Sequence, residues 1–126
     1  MIIELIRHRL VYLATPYTKF PQGRHIAFRQ ACALSGKLIA QSVRVYSPIA
    51  HTHPIAEYSH LDPLDHSLWL PFDEAMMTVA DALCVAHMEG WDESFGVAHE
   101  IKVFNRAKKP IFDLEPETLE ITRRLP

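Results

Sequence analysis

Two short runs of almost unbroken apolar residues restrict this chain more than any other feature. Residues 10–15 read Leu-Val-Tyr-Leu-Ala-Thr, closed by Pro16, and residues 82–86 read Ala-Leu-Cys-Val-Ala. Neither run alternates apolar with polar residues, as a half-solvated strand does, so each is expected to be a strand buried on both faces. Such strands need helices above and below them. The sequence between the runs supplies a helix at 25–41, where Ala27, Ala31, Leu34 and Leu38 recur every three or four residues and form one stripe. A second short strand follows at 43–47, ended by Pro48, and a fourth at 110–114. Residues 94–107 read as a helix with Val97, Ile101 and Phe104 on one face, and Lys102, Arg106, Lys108 and Lys109 lie near its carboxyl end, where the helix dipole favours cations. A short terminal helix is expected at 116–124.

The segment 49–71 contains Pro54, Pro63 and Pro71 with His51, His53 and His60. It reads as the longest irregular region, with a short helix near 54–58, and long loops in small domains often bind ligands. Helix resumes at 72–79 and reaches back to Asp65 if Pro71 is tolerated as a kink.

The pattern predicts an α/β fold. Residues 1–126 form a single domain around a mainly parallel four- or five-stranded sheet with helices on both faces, Rossmann-like or flavodoxin-like, with right-handed crossovers. A chain of 126 residues supports one core and no separate cofactor domain. Apolar residues make up 48% and charged residues 22%, and no run approaches the roughly 20 apolar residues of a membrane span. Glu4, Arg7 and Arg9 interrupt the amino-terminal apolar stretch, against a secretory signal, so a cytoplasmic protein is expected. The net charge of −2 gives no field for tracking a polynucleotide backbone. Cys32 and Cys84 lack CxxC spacing and are expected to pack as buried thiols.

Ligands of parallel sheets bind beyond the carboxyl ends of the strands. Here those ends are residues 15–17, 47–53 and 87–94, three polar loops expected to meet at one rim. Glu100 lies four residues after Gly96, on the same helical face, so the glycine leaves the carboxylate uncovered. Ser94 and the first-turn amides form a seat for an anion such as phosphate. Asp73 stands eight residues before Asp81; two helical turns span about 12 Å, which places Asp73 on the ligand side and Asp81 at the opposite rim in a structural role. Asp73 and Glu100 would then form the carboxylate pair that glycosidic cleavage requires.

Tyr12 in Val-Tyr-Leu-Ala-Thr, Asp73 with Ala80-Asp81, and Ser94-Phe-Gly-Val-Ala-His-Glu100 followed by Lys108-Lys-Pro-Ile resemble the nucleoside 2-deoxyribosyltransferase superfamily. The Ser-x-Gly-Val-x-x-Glu form is similar to deoxynucleoside 5′-monophosphate N-hydrolases, and the whole chain resembles an uncharacterised bacterial and phage family within that superfamily. The resemblance implies an N-glycosidase or N-deoxyribosyltransferase acting on a nucleotide or nucleoside, without cofactor or metal. Glu100 would be the nucleophile at the anomeric carbon, Asp73 a proton-handling group near the base, Tyr12 an orienting hydroxyl, and Ser94 a phosphate contact. It also implies a homodimer or larger homo-oligomer with sites completed by a neighbouring subunit. The chain departs from the pattern at Ala14-Thr15, at Lys108-Lys109-Pro110 and in a longer loop over 89–93.

Thr15 and Gly96 at the rim, with Arg24 and His51, complete the substrate- and phosphate-binding set. The residues alone leave other readings open. Tyr12 is equally a core tyrosine, and Trp69, Phe72 and Trp91 suit either base stacking or a dimer contact. A non-catalytic nucleotide-binding module would use the same fold. His51 and His53, with Asp62 or Asp65, would suit a metal-dependent hydrolase.

Overall fold

A computed structural model describes residues 5–125; residues 1–4, which include Glu4 of the amino-terminal stretch, lie outside it. Its strands are β1 (Leu10–Ala14), β2 (Arg44–Tyr46), β3 (Ala82–Ala86), β4 (Ile111–Leu114) and β5 (Ile121–Arg123). The helices are α1 (Arg24–Ala40), α2 (Pro48–Ser59), α3 (His66–Val79) and α4 (Phe95–Arg106). The sheet order is β2-β1-β3-β4-β5, with the first four strands parallel and β5 antiparallel to β4. This is the expected α/β architecture. No helix among the described residues is long and apolar enough to cross a membrane.

Strand alternation divides the core in two. Val11, Leu13, Cys84 and Phe112 face Ala27, Leu34 and Leu38 of α1, whereas Tyr12, Ala14, Leu83 and Val85 face Met77 of α3 and Val97 and Phe104 of α4. Every residue of β3 is buried. Asp81 acts at the amino-terminal rim, where its Oδ2 accepts from the Leu10 amide at 2.8 Å and its own amide donates to the Leu10 carbonyl. Cys84 is buried, and burial pushes its thiol up to about 12. Cys32 is instead exposed on α1, correcting the expectation that both thiols pack inside.

The largest departure lies at 49–71, which is not a long loop. Two helices occupy it, leaving only 60–65 between them. Proline misleads here because its damage depends on position. Pro48 opens α2, where a missing N–H is no loss, and the Ser47 hydroxyl caps the turn by accepting from the Ala50 amide at 3.2 Å. Asp65 caps α3 similarly, and Ser67, the residue whose carbonyl Pro71 leaves without its helical partner, is exposed to water.

The expected terminal helix at 116–124 is a turn followed by β5. A short isolated helix is marginal, while Ile121 and Thr122 are β-branched and suit a strand. Pairing covers the edge of β4, and Asp113 of β4 holds Arg124 through two hydrogen bonds of 3.1 and 2.6 Å.

Lys109 also departs from its expected role at the end of α4. Its ammonium reaches the end of α3 and donates to the carbonyls of Met77, Thr78 and Ala80 at 3.0, 2.6 and 2.8 Å. Lys109→Ala therefore removes one group that satisfies three acceptors, and urea unfolding should show a loss of about 1–3 kcal/mol.

Candidate functional site

The carboxyl ends of β1, β2 and β3 converge on a cavity of about 270 Å³. Thr15 enters it from β1, Pro48 and Thr52 from the start of α2, Asp73 from α3, and Ser94, Gly96 and Glu100 from α4. The three rims that the sequence singled out do meet, although the second contributes through a helix.

Glu100 is buried, 8% exposed. Gly96 explains how it remains reachable, since a Cβ built there would meet only the Ser94 hydroxyl, at 3.9 Å. Burial, aided by the negative charge of Asp73 and opposed by interaction with the Tyr12 hydroxyl, pushes Glu100 up to about 8. Ser94 is the N-cap of α4, its Oγ accepting from the Val97 amide at 3.2 Å.

Tyr12 is the central residue of β1, two positions before its carboxyl end, with Tyr46 beside it in the parallel register. The rings are 5.5 Å apart, and Phe104 stands 6.0 Å from Tyr12 on α4. The Tyr12 hydroxyl is buried and completes no hydrogen bond of ordinary geometry; burial and the Glu100 and Asp73 carboxylates hold it well above the usual phenol range. Tyr12 thus has both a core ring and a hydroxyl at the site. Asp73 is half-buried; burial raises it to about 6, against the opposing effect of a long 3.4 Å hydrogen bond donated by Tyr46. Two carboxyls of different proton affinity therefore share one cavity.

The Thr15 hydroxyl and His99 Nε2 also lack hydrogen-bond partners and line this cavity. Unsatisfied buried polar atoms are costly in an empty pocket and become useful once a polar ligand binds.

Other candidates sit elsewhere. Arg24 borders a separate hollow with His25 and His53, which meets the first only at Tyr17 and Pro63. His51 stacks on Phe72, with centroids 4.4 Å apart, and does not line the two-carboxylate cavity. His53 turns the other way, stacking on Phe28 and meeting the Tyr17 hydroxyl at 2.5 Å. Residues two apart on a helix do not share a face, so the His-x-His pair does not converge. No group of three or more His, Cys, Asp or Glu side chains suited to a metal occurs among the described residues. Trp69 lines the cavity, its indole fixed by the Asp62 carbonyl at 2.8 Å. Trp91 instead stacks on His87. The loop over 89–93 ends in a 3₁₀ turn, Trp91–Glu93. Its Gly90 has φ +89° and packs so closely that a Cβ would lie 2.5 Å from the Lys19 carbonyl oxygen.

Sequence reasoning missed Tyr46, Tyr17 and His99. Tyr46 had a usable signal: it is the last residue of a short strand directly before Ser47-Pro48, hence at the rim. The contact of Tyr17 with His53 spans 36 positions and left no local pattern.

The fold and cavity define an α/β domain with a two-carboxylate pocket at the carboxyl ends of its parallel strands. The chain belongs to the family described as a domain of unknown function (DUF1937), whose profile matches residues 9–115. Among curated proteins the sequence finds no match.

Proposed function

We propose that this protein cleaves or transfers the N-glycosidic bond of a nucleoside or nucleotide. The observation that carries the proposal is the pairing of Glu100, raised to about 8, with Asp73, raised to about 6, in one cavity. Groups whose environments separate their proton affinities are the usual means of dividing acid and base roles. The cavity lining contains no lysine or arginine, so nothing there opposes the positive charge that an oxocarbenium-like transition state develops beside two carboxylates.

In the free site a single proton rests on Glu100 and the charge on Asp73. Glu100 attacks the anomeric carbon from the minority form in which the proton has moved to Asp73, which then delivers it to the departing base. Water or an acceptor base subsequently releases the sugar from Glu100. Tyr12 orients the Glu100 carboxylate, and Ser94 with the first amides of α4 seats the 5′ end of the sugar. Gly96 keeps the approach open, Thr15 offers an unused hydroxyl, and Trp69 provides a stacking surface. The reaction needs no cofactor.

A cytoplasmic homodimer or larger assembly completes the proposal. Leu68, Phe72 and Phe95 are 45%, 43% and 75% exposed, and α3 buries only Met77, which leaves an apolar rim for a neighbouring subunit to cover.

Incubation with a panel of nucleosides and their 5′-monophosphates, with and without an acceptor base, should release free base. Tight binding of an intact nucleotide would favour the second reading, a nucleotide-binding module, to which a protonated Glu100 lends a hydrogen-bond donor. Asp73→Asn should slow release by about 10²–10⁴-fold, the usual range for a general acid–base group. Asparagine cannot carry the shared proton, so the alkaline limb of the pH–rate profile should disappear and the residual rate should rise as Glu100 ionises, at a pH below about 8 because the Asp73 charge no longer helps to raise it. An unchanged profile would remove Asp73 from the mechanism.

A further inference from the structure

We infer that the carboxyl end of α4 and the edge strand β5 form a second binding site, which takes the oxyanion of a small phosphorylated ligand. A hollow of about 380 Å³ lies there, and all its charged lining residues are cationic: Lys108, Lys109, Arg123 and Arg124. Asn105 adds an amide. Soluble proteins usually mix both signs over their surfaces, and a concave region of one sign concentrates the opposite ion.

The four cations divide into a fixed pair and an available pair. Lys109 spends its donors on three carbonyls, so its charge is met by dipoles and by no carboxylate. Arg124 is held by Asp113 through Nε and one terminal nitrogen. Lys108 and Arg123 are exposed, and among the described residues neither has a carboxylate partner. The hollow consequently keeps a net positive charge and unused donors. Arg123 supplies a planar fork that matches two oxygens of one phosphate.

The backbone explains why the adjoining helix end does not repel such a ligand. The amides of Ala107, Lys108 and Lys109 donate to the carbonyls of Val103, Asn105 and Phe104, engaging much of the last turn of α4. This hydrogen-bond pattern needs a left-handed residue after the helix, a position glycine fills most easily. Lys108 occupies it with φ +56°. The chain accepts a less favourable backbone residue, and the hollow gains a cation. Ile111 begins β4 here, whereas the two-carboxylate cavity opens at the other ends of the strands. A ligand bound here does not compete with one at Glu100.

The test is a titration of isotope-labelled full-length protein with inorganic pyrophosphate at low ionic strength, followed by amide chemical shifts. Saturable changes are expected at residues 105–109, 111 and 123–124, with binding that weakens as sodium chloride is added. A variant carrying Lys108→Gly and Arg123→Ala should bind at least about tenfold more weakly, since each loses a charge-assisted contact. Lys108→Gly installs the residue that the left-handed position favours, so its melting temperature should not fall; weaker binding by this single variant then reports lost charge, not lost fold. Absence of saturable changes at millimolar pyrophosphate, equal affinity in the double variant, or changes confined to the Ser94 end of α4 would overturn the inference.

Discussion

Replacing Glu100 with glutamine should make the protein more stable above pH 8 while leaving its stability near pH 4 almost unchanged. Burial raises the Glu100 carboxyl from 4.5 to about 8 in the folded protein. Below the ordinary value the group is protonated whether the chain is folded or not, and it costs nothing extra. As pH rises from 4.5 towards 8, the unfolded chain ionises and the folded one resists, so stability drains away across that window. Above about 8 the folded protein must hold a buried charge, and the full penalty applies. Each pH unit between the two values corresponds to about 1.4 kcal/mol, so the total is on the order of several kcal/mol. Glutamine keeps the shape and removes the ionisation. Asp73 contributes in the same direction, less strongly, because it is only half-buried and water screens it. Thermal melts of both proteins at pH 5 and pH 9 will read this directly: a gap that opens with pH is expected, and parallel curves would show that Glu100 is not desolvated.

The same substitution should abolish activity. Instability concentrated in a catalytic group is a common consequence of building a reactive site into a marginally stable fold. Loss of Glu100 removes both the proton store and the group that attacks the sugar, so base release should fall by about 10³-fold or more, near the upper part of the range for groups that form a covalent intermediate or transfer its proton.

How far the sequence disclosed this arrangement depended on the range of the interactions involved. Residues 10–15 and 82–86 revealed buried parallel strands because a strand covered on both faces leaves a continuous apolar run, which needs no distant information. The link from Gly96 to Glu100 was equally legible, being one helical turn. Pro48 and Pro54 obscured the extent of the helix over 48–59, whereas the helix over 66–79 was legible back to its cap at Asp65 once Pro71 is tolerated, because a proline's effect depends on where it falls and on whether solvent can satisfy the freed carbonyl. The strand at Ile121–Arg123 was hidden because its stability comes from pairing with the edge of β4, sealed by the Asp113–Arg124 contact across 11 positions. Lys109 was assigned to the nearer helix end, while its long side chain reached the carbonyls of α3. Arg24 suits a phosphate as a cation and His51 follows the second strand, yet neither side chain lines the two-carboxylate cavity: Arg24 borders a neighbouring hollow and His51 stacks on Phe72. Tyr46 supports Asp73 through a hydrogen bond between β2 and α3, across 27 positions, that only the folded chain creates.

The most direct test of the central claim is chromatographic detection of free base after incubating nucleosides and 5′-monophosphates with the wild-type protein and with Glu100→Ala, both shown to be folded by melting. The wild-type protein is expected to release base from at least one member of the panel and Glu100→Ala to release none above background; release by Glu100→Ala at the wild-type rate would contradict the role assigned to Glu100.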